Sequence, residues 1–391
     1  MARQTGVRAE IFWTFLKLGL TSFGGPIAHI GYFRTELVLR RRWITETAYA
    51  DLIALCQFLP GPTSSQVGFS LGVLRAGNLL GGIAAWLGFT APSALFLFAA
   101  ALGTAHLNGA LAQGVLHGLK LVAVAVVAQA IWGMARTLTP DPIRAGVALA
   151  AAIIVAGFHG PLAQIAAIGI GALAGLAWCR PGTTPFAGRL DFPVSKSAGA
   201  SALICFAAFL LIPPLFARAQ PIQLFDAFYR SGALVFGGGH VVLPLLQAAT
   251  VGRSWLSNQT FLAGYGLTQA VPGPLFTFAA YLGAAIGPNH FAGAAMALAA
   301  IFLPGLLLVY GMLPFWDALR PSRSAQAAMR GANAAVVGIL IAAFCNPVWT
   351  GAVHGPLDFG FALAGFLLLT LWKLPPWLLV AGLAAAGAAG G

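Results

Sequence analysis

The feature that most constrains this chain is a set of long apolar runs without a charged side chain. Leu79–Gly103 is such a run of 25 residues, and residues 291–314 form another of similar length. As a helix, each is long enough to cross the roughly 30 Å hydrocarbon core of a bilayer. Only 8% of the residues are charged, against about 25% in soluble domains. The sequence predicts an all-α polytopic membrane protein, because the alternating segments typical of β-barrels do not occur.

The positive charge is distributed as in a membrane protein. The net charge is +12, but lysines and arginines lie between the apolar runs, notably in the cluster of Arg34, Arg40, Arg41 and Arg42. Cytoplasmic loops of membrane proteins carry such an excess of basic residues. We therefore expect the lipid bilayer, and not nucleic acid, as the partner of this charge.

Cysteine spacing gives no sign of a metal centre or a disulfide framework. The four cysteines are scattered, without a CxxC motif or a Cys/His cluster in the sequence. We expect no metal and no cofactor. The first ten residues are charged and lack a small-residue cleavage site, so a removable signal peptide is not expected.

An internal repeat divides the chain into two halves. The matching pairs are Phe15/Phe228, Lys17/Arg230, Gly19/Gly232, Phe23/Phe236, Gly24/Gly237, Gly25/Gly238, Gln57/Gln269, Pro60/Pro272, Gly61/Gly273, Pro62/Pro274, Pro92/Pro304 and Gly118/Gly331, which are 213 positions apart except for the five pairs from Gln57 to Pro92, which are 212 apart. Such self-similarity indicates repeated structural units. We assign residues 1–180 to an N-terminal repeat, 181–213 to a linker loop with an extra transmembrane span, and 214–391 to a C-terminal repeat.

The extra span predicts that the second repeat is inverted in the membrane. Loops that match the basic segment 34–75 keep only Arg253, whereas the loop that matches the uncharged segment 104–116 gains Arg320, Arg323 and Arg330. This exchange places 16 of the 21 basic residues inside and two outside. Inverted repeats recur in secondary transporters.

Each half contains two Gly/Pro sequences that break helices. Such breaks expose backbone groups at membrane depth, and they persist where they line a cavity or contact protein. A half-helix that starts at a break directs its positive end into the bundle, which favours an anion. The candidate substrate-binding residues at the breaks are Gly24 and Gly25, Gly237 and Gly238, Pro60, Gly61 and Pro62, and Pro272, Gly273 and Pro274.

Two cations and four polar side chains extend this candidate site. Lys17 and Arg230 occupy equivalent positions inside apolar stretches, where a cation needs an ionic partner or an aqueous cavity. They are candidates for binding a dianion, and snorkelling to the interface is the alternative. Hydroxyls and amides that can donate to an oxyanion are Ser65, Thr277, Gln57 and Gln269.

Three titratable residues are candidates for proton coupling. His29 and His240 follow the Gly-Gly breaks, and Asp51 precedes the first Pro-Gly-Pro sequence. The chain contains no GxxxxGK[ST] sequence, so no ATPase motor is built in. Transport would be driven by an ion gradient, by exchange or by the membrane potential.

The motifs as a group resemble the chromate ion transporter family in its long-chain, two-domain form. The resemblance is carried by F-x-K-x-G-x-x-x-F-G-G-P from Phe15, by L-C-Q-F-L-P-G-P from Leu55, by F-G-G-G-H from Phe236, by V-P-G-P from Val271 and by G-A-N-A-A-V-V-G from Gly331. It implies export of chromate across the bacterial cytoplasmic membrane and chromate resistance.

Several alternatives remain open at this point. Sulfate shares the charge and tetrahedral shape of chromate, so a carrier of sulfate or another oxyanion, including one that works as an importer, is one alternative. An intramembrane enzyme would need acids or a Ser/His pair deep in the bundle, and the chain has only nine acids, mostly in loops. A membrane scaffold without transport activity is a third alternative, and a homodimer is left open.

Overall fold

The computed structural model describes residues 2–105, 109–158, 160–179, 192–216, 219–287 and 289–390. These residues form helices and turns, and the described ranges contain no strand. The predicted all-α architecture with Gly/Pro-broken helices is confirmed. Most of the predicted linker, residues 181–191, lies outside the described residues.

The described residues of the first half form eight α-helices. They are α1 (Ala2–Thr21), α2 (Gly25–Phe33), α3 (Glu46–Phe58), α4 (Thr63–Ala76), α5 (Leu79–Ala105), α6 (Ala110–Leu138), α7 (Pro142–Gly157) and α8 (Pro161–Trp178). The Gly-Gly sequence separates α1 from α2, and the Pro-Gly-Pro sequence separates α3 from α4. Both predicted breaks therefore interrupt real helices.

The second half repeats this order after one added helix. The added helix is α9 (Lys196–Leu211), followed by α10 (Gln220–Ala233), α11 (Val242–Thr250), α12 (Asn258–Thr268), α13 (Phe278–Ile286), α14 (His290–Met312), a short α15 (Trp316–Leu319), α16 (Arg323–Ala343), α17 (Pro356–Thr370) and α18 (Pro376–Gly390). The second Gly-Gly and Pro-Gly-Pro sequences again separate α10 from α11 and α12 from α13. Apart from α15, the helices of the two halves correspond one to one.

Five helical segments of the described chain are long and apolar enough to cross a membrane. They are Leu79–Gly103, Leu111–Leu138, Lys196–Phe216, His290–Leu319 and Arg323–Trp349. The first and fourth are repeat equivalents, as are the second and fifth, while the third is the added helix. The chain is thus a multi-pass membrane protein.

Large apolar side chains cover much of the outer surface of the bundle. Those on α7, α8 and α9 include Leu149, Ile153, Leu162, Leu173, Ile204 and Leu211. A soluble monomer rarely exposes such a continuous apolar surface, whereas a bilayer solvates it. These three helices therefore form a lipid-facing side.

Equivalent pairs of helices make close contacts across the boundary between the two halves. The backbone of Gly118 in α6 packs against the Leu383 carbonyl in α18, and Gly331 in α16 packs against the Gly171 carbonyl in α8. Gly118 and Gly331 are repeat equivalents, and the helices that they contact, α18 and α8, are equivalent helices of the two halves. Reciprocal contacts of this kind are expected between two units that are related by a two-fold axis. Small residues permit this close approach of helices.

The buried core is shared between the two halves. A large apolar cluster joins α6 to α10–α14 and α16, and a smaller one joins α1–α5 to the end of α14. Both clusters contain side chains from the two halves. The halves therefore fold as one body, with the four helix breaks inside it.

Candidate functional site

The six glycines at the helix breaks have left-handed backbone conformations. Their φ angles are 98° at Gly24, 77° at Gly25 and 122° at Gly61, and 73°, 157° and 100° at the equivalent Gly237, Gly238 and Gly273. Glycine adopts positive φ without the steric cost that a Cβ atom imposes. The backbone conformation at these positions therefore favours glycine, which lets the chain turn between half-helices.

The breaks of one half are hydrogen-bonded to the breaks of the other. The N–H of Gly61 donates to the Val235 carbonyl at 2.7 Å, and the N–H of Gly273 donates to the Ser22 carbonyl at 3.0 Å. Val235 and Ser22 each precede a Phe-Gly-Gly sequence. Each Pro-Gly-Pro sequence thus contacts the Gly-Gly break of the opposite half, which satisfies backbone groups that lipid would leave unpaired.

We call each of these two contacts between a Pro-Gly-Pro break and a Gly-Gly break a crossing. A cavity of about 540 Å³ opens at one of them. Its wall includes the first Gly-Gly break and the second Pro-Gly-Pro region, with α6 and the connection between α17 and α18 completing it. The lining residues that the sequence had singled out are Gly24, Gly25, His240, Gln269 and Gly273. We call this space the inner vestibule.

Helix starts and an amide group give the inner vestibule the chemistry of an anion site. The first residues of α2 and α18 line it, so the positive ends of these helices lie at its wall. The side-chain nitrogen Nε2 of Gln269 is buried, and no residue in the described ranges accepts its hydrogen bonds. An oxyanion in the vestibule would supply that acceptor.

The inner vestibule also contains a cation that the sequence analysis missed. Lys373 lies in the connection between α17 and α18, lines the vestibule and is exposed. Because it has no basic counterpart in the first half, where Gly160 stands 213 positions earlier, the repeat gave no reason to select it. A flexible ammonium group at the wall can remain paired with a dianion that enters the bundle.

A second cavity, of about 530 Å³, lies at the equivalent place on the other half. Gln129, Leu369 and Lys373 of the inner vestibule correspond to Ala342, Ala156 and Gly160 of this second cavity, each pair being 213 positions apart. We call it the outer vestibule. Its polar lining consists of amides, chiefly Gln164, Gln247 and Asn346. Among the described residues, a basic side chain thus lines the inner vestibule and none lines the outer one.

Lys17 and Arg230 do not line either vestibule. Lys17 is exposed on α1. Arg230 is half-buried, its Nε donates to the Asp226 carboxylate at 2.6 Å, and an NH2 group donates to the Leu210 carbonyl at 2.6 Å. Asp226 is therefore the ionic partner that Arg230 required. The two-cation site remains a prediction, and one of its two members, Arg230, already has an ionic partner.

Polar groups of the first half cluster behind the breaks. His29 of α2 is buried and lies 3.3 Å from the Ser64 hydroxyl of α4, while the Ser65 hydroxyl and His29 Nε2 lack partners among the described residues. The Thr277 hydroxyl, equivalent to Ser65, donates to the Pro274 carbonyl at 2.7 Å. Gln57 is exposed, unlike its equivalent Gln269. Equivalent residues thus have different surroundings in the two halves.

The other two candidates for proton coupling have direct partners. His240 lines the inner vestibule, and its Nδ1 lies 2.7 Å from the buried Tyr265 hydroxyl. The Asp51 carboxylate accepts from Arg320 at 3.2 Å, so a buried acid of the first half is paired with a cation of the second. Pairing across the halves gives Asp51 a structural role, whether or not it also binds a proton.

The remaining predicted residues lie around the crossings. Gly237 and Gly238 lie beside Met134 of α6, and Gly61 lies against Gly305 of α14. Pro60 and Pro272 are half-buried, and Pro62 and Pro274 are buried. These residues shape the backbone at the crossings.

The family model for chromate transporters matches the chain twice, over residues 9–176 and 222–388. A chromate transport protein of Pseudomonas aeruginosa is 30% identical over 385 residues, which cover 93% of this chain and 87% of that protein. A chromate transport protein of Cupriavidus metallidurans is 26% identical over 401 residues, with 97% and 92% coverage. No solved structure matches the chain.

One relative has half the length. The uncharacterized transporter YwrA of Bacillus subtilis is 30% identical over 169 residues, which are 41% of this chain but 92% of that protein. One repeat is therefore similar in extent to a whole protein elsewhere. This agrees with two matches to the same family model within the present chain.

Proposed function

The chain belongs to the chromate transporter family, and we propose that it exports chromate across the bacterial cytoplasmic membrane as a secondary transporter. Relatives that align with more than nine-tenths of the chain are named chromate transport proteins. Removal of chromate from the cytoplasm would confer resistance. Nothing in the chain resembles a nucleotide-binding loop, so an ion gradient, exchange or the membrane potential is proposed as the driving force.

The inner vestibule is the proposed chromate site, and the unpaired Gln269 amide is the observation that carries this assignment. Gln269 Nε2 is a buried donor without an acceptor in the described structure, at a wall that also holds two helix starts and Lys373. An unpaired buried donor costs about 1–3 kcal/mol. A chromate oxygen would remove this cost, and Lys373 with the helix ends would offset part of the anion's desolvation.

The position of Lys373 supports export. In the predicted topology, Lys373 and Tyr32, at the cytoplasmic end of α2, lie on the cytoplasmic side, so the inner vestibule opens toward the cytoplasm. The outer vestibule, at the equivalent place in the inverted half, would open to the other side. Because the described lining has a basic side chain in the inner vestibule and none in the outer one, a dianion would be bound more strongly at the entrance than at the exit.

Transport by reconstituted protein tests this function. Inside-out vesicles that contain the protein should accumulate radiolabelled chromate when a proton gradient or membrane potential is imposed, and empty vesicles should not. A hundred-fold excess of sulfate separates the alternatives, since a sulfate carrier would lose its chromate uptake and take up labelled sulfate instead. No uptake of either anion in any energised state would contradict the proposal.

A further inference from the structure

Two histidines and an aspartate meet where α6 of the first half packs against the start of α17 in the second. His117 Nε2 lies 2.7 Å from Asp358 Oδ1, and His354 Nδ1 lies 3.9 Å from Asp358 Oδ2. All three ligand atoms lie within 4.8 Å of one another. We propose that this cluster binds a divalent transition-metal ion and that Zn²⁺ fits it best.

The donor set selects the class of metal. Two imidazole nitrogens and one carboxylate oxygen are ligands of Zn²⁺, whereas Mg²⁺ and Ca²⁺ prefer oxygen. Zn²⁺ bonds of about 2.0–2.2 Å in a tetrahedron place ligand atoms about 3.4 Å apart. The present separations of 2.7 and 3.9 Å lie on either side of that value. Small side-chain rotations would therefore complete the site.

The surroundings allow an ion to enter and leave one coordination position open. The His354 side chain is 59% exposed and can rotate, and that of His117 is 30% exposed. A cavity of about 510 Å³, lined by Gln113, His117 and Asp358 among others, adjoins the cluster. Water in this cavity can supply a fourth ligand, as it does in zinc sites with three protein ligands.

The carboxylate is held in place by the backbone of one of its neighbours. Asp358 Oδ2 accepts the backbone N–H of His354 at 2.9 Å. Groups that orient a ligand in this way raise metal affinity. Lys120 acts in the opposite direction, because it lies three residues after His117 on α6 and its charge interacts with Asp358. The cation competes for the carboxylate and lowers the affinity for a second positive ion.

A bound ion would join the two halves. His117 belongs to the first half, and His354 and Asp358 belong to the second, with His117 and Asp358 241 positions apart in sequence. This separation is why Cys/His spacing in the sequence gave no sign of a metal centre. An ion that binds the folded state alone stabilises it by an amount that grows with the logarithm of the free ion concentration once this exceeds the Kd.

Calorimetric titration of the purified, EDTA-treated protein with ZnCl₂ tests the site. We expect one Zn²⁺ per chain and at least ten-fold weaker binding for His117→Gln and for His354→Gln. His290→Gln is the matched control, since His290 lies outside the cluster and its ring contacts the Ala284 carbonyl; it should bind as the wild type does. Lys120→Met should bind Zn²⁺ more tightly.

Thermal unfolding provides the second measurement. Zn²⁺ should raise the Tm of the wild type and of His290→Gln, and it should leave the Tm of His354→Gln unchanged. Because His354 is exposed, this variant should fold even where His117→Gln fails to do so. The absence of stoichiometric Zn²⁺ binding by the wild type, or equal binding by wild type and His354→Gln, would overturn the proposal.

Discussion

The N–H of Gly61 lies 2.7 Å from the carbonyl oxygen of Val235, which joins the Pro-Gly-Pro break of one half to the Gly-Gly break of the other. The equivalent bond from Gly273 to Ser22 repeats this contact. The breaks are therefore paired between the halves. A movement of one half relative to the other must change both crossings. Such a movement would therefore couple the backbone around the vestibules to any change in their access to either side of the membrane.

Substitution of the crossing glycines should abolish transport. Gly61→Leu and Gly273→Leu place a Cβ atom at positive φ, at a cost of about 1–3 kcal/mol, and against Gly305 or Ser93. We expect loss of chromate uptake in vesicles and a lower Tm. Gly133→Leu is the control, because Gly133 lies in α6 with no atom near its missing Cβ. Normal uptake by both crossing variants would contradict the assignment of the breaks.

Removal of the vestibule lysine should weaken chromate binding. We expect Lys373→Gln to raise the Kd about ten-fold, equivalent to about 1.4 kcal/mol, and Lys373→Arg to retain most of the affinity because the charge is kept. Lys196→Gln is a matched control, since Lys196 is also an exposed lysine on the predicted cytoplasmic side but lies outside the vestibule. Equal affinities of Lys373→Gln and the wild type would exclude this role.

The proposed cation pair is tested against the ion pair that the structure shows. Lys17→Gln and Arg230→Gln should each weaken chromate binding by ~2–5 kcal/mol if these groups contact the dianion. Arg230→Gln also leaves the buried Asp226 carboxylate unpaired, so its effect alone is ambiguous. The double variant Asp226→Asn/Arg230→Gln separates the two roles. Chromate affinity that recovers in the double variant would assign Arg230 to stability alone.

The Asp51–Arg320 ion pair should stabilise the assembly of the two halves. Because Asp51 is buried, Asp51→Asn or Arg320→Gln should each lower the free energy of unfolding by about 3–5 kcal/mol. The double variant should lose less than the sum of the two, as measured by a double-mutant cycle on thermal or denaturant unfolding. If Asp51 instead couples protons, Asp51→Asn would lose proton-driven uptake with an unchanged Tm.

Inverted topology predicts that equivalent loops lie on opposite sides of the membrane. Single cysteines at Arg40 and Arg253, both exposed, should react with an impermeant maleimide from opposite sides. The background should carry Cys205→Ser and Cys345→Ser, because these two native cysteines are exposed while Cys56 and Cys179 are buried. Labelling of both positions from the same side would exclude the inverted arrangement.

The sequence by itself determined the class of protein, the repeat and the positions of the helix breaks. These depend on local properties that are read in linear order: uncharged runs of spanning length, glycines beside prolines, and regular spacing between equivalent residues. The Asp226–Arg230 pair is also local, because residues four apart on one helix are neighbours.

Tertiary structure alone decided which breaks meet and which side chains share a cavity. Gly61 pairs with Val235, Lys373 joins Gln269 in the inner vestibule, and His117 meets Asp358. These groups are far apart in sequence, and helix packing brings them together through the reciprocal glycine contacts of the two halves. Linear periodicity records which face of a helix is apolar, but it does not record which distant helix that face contacts.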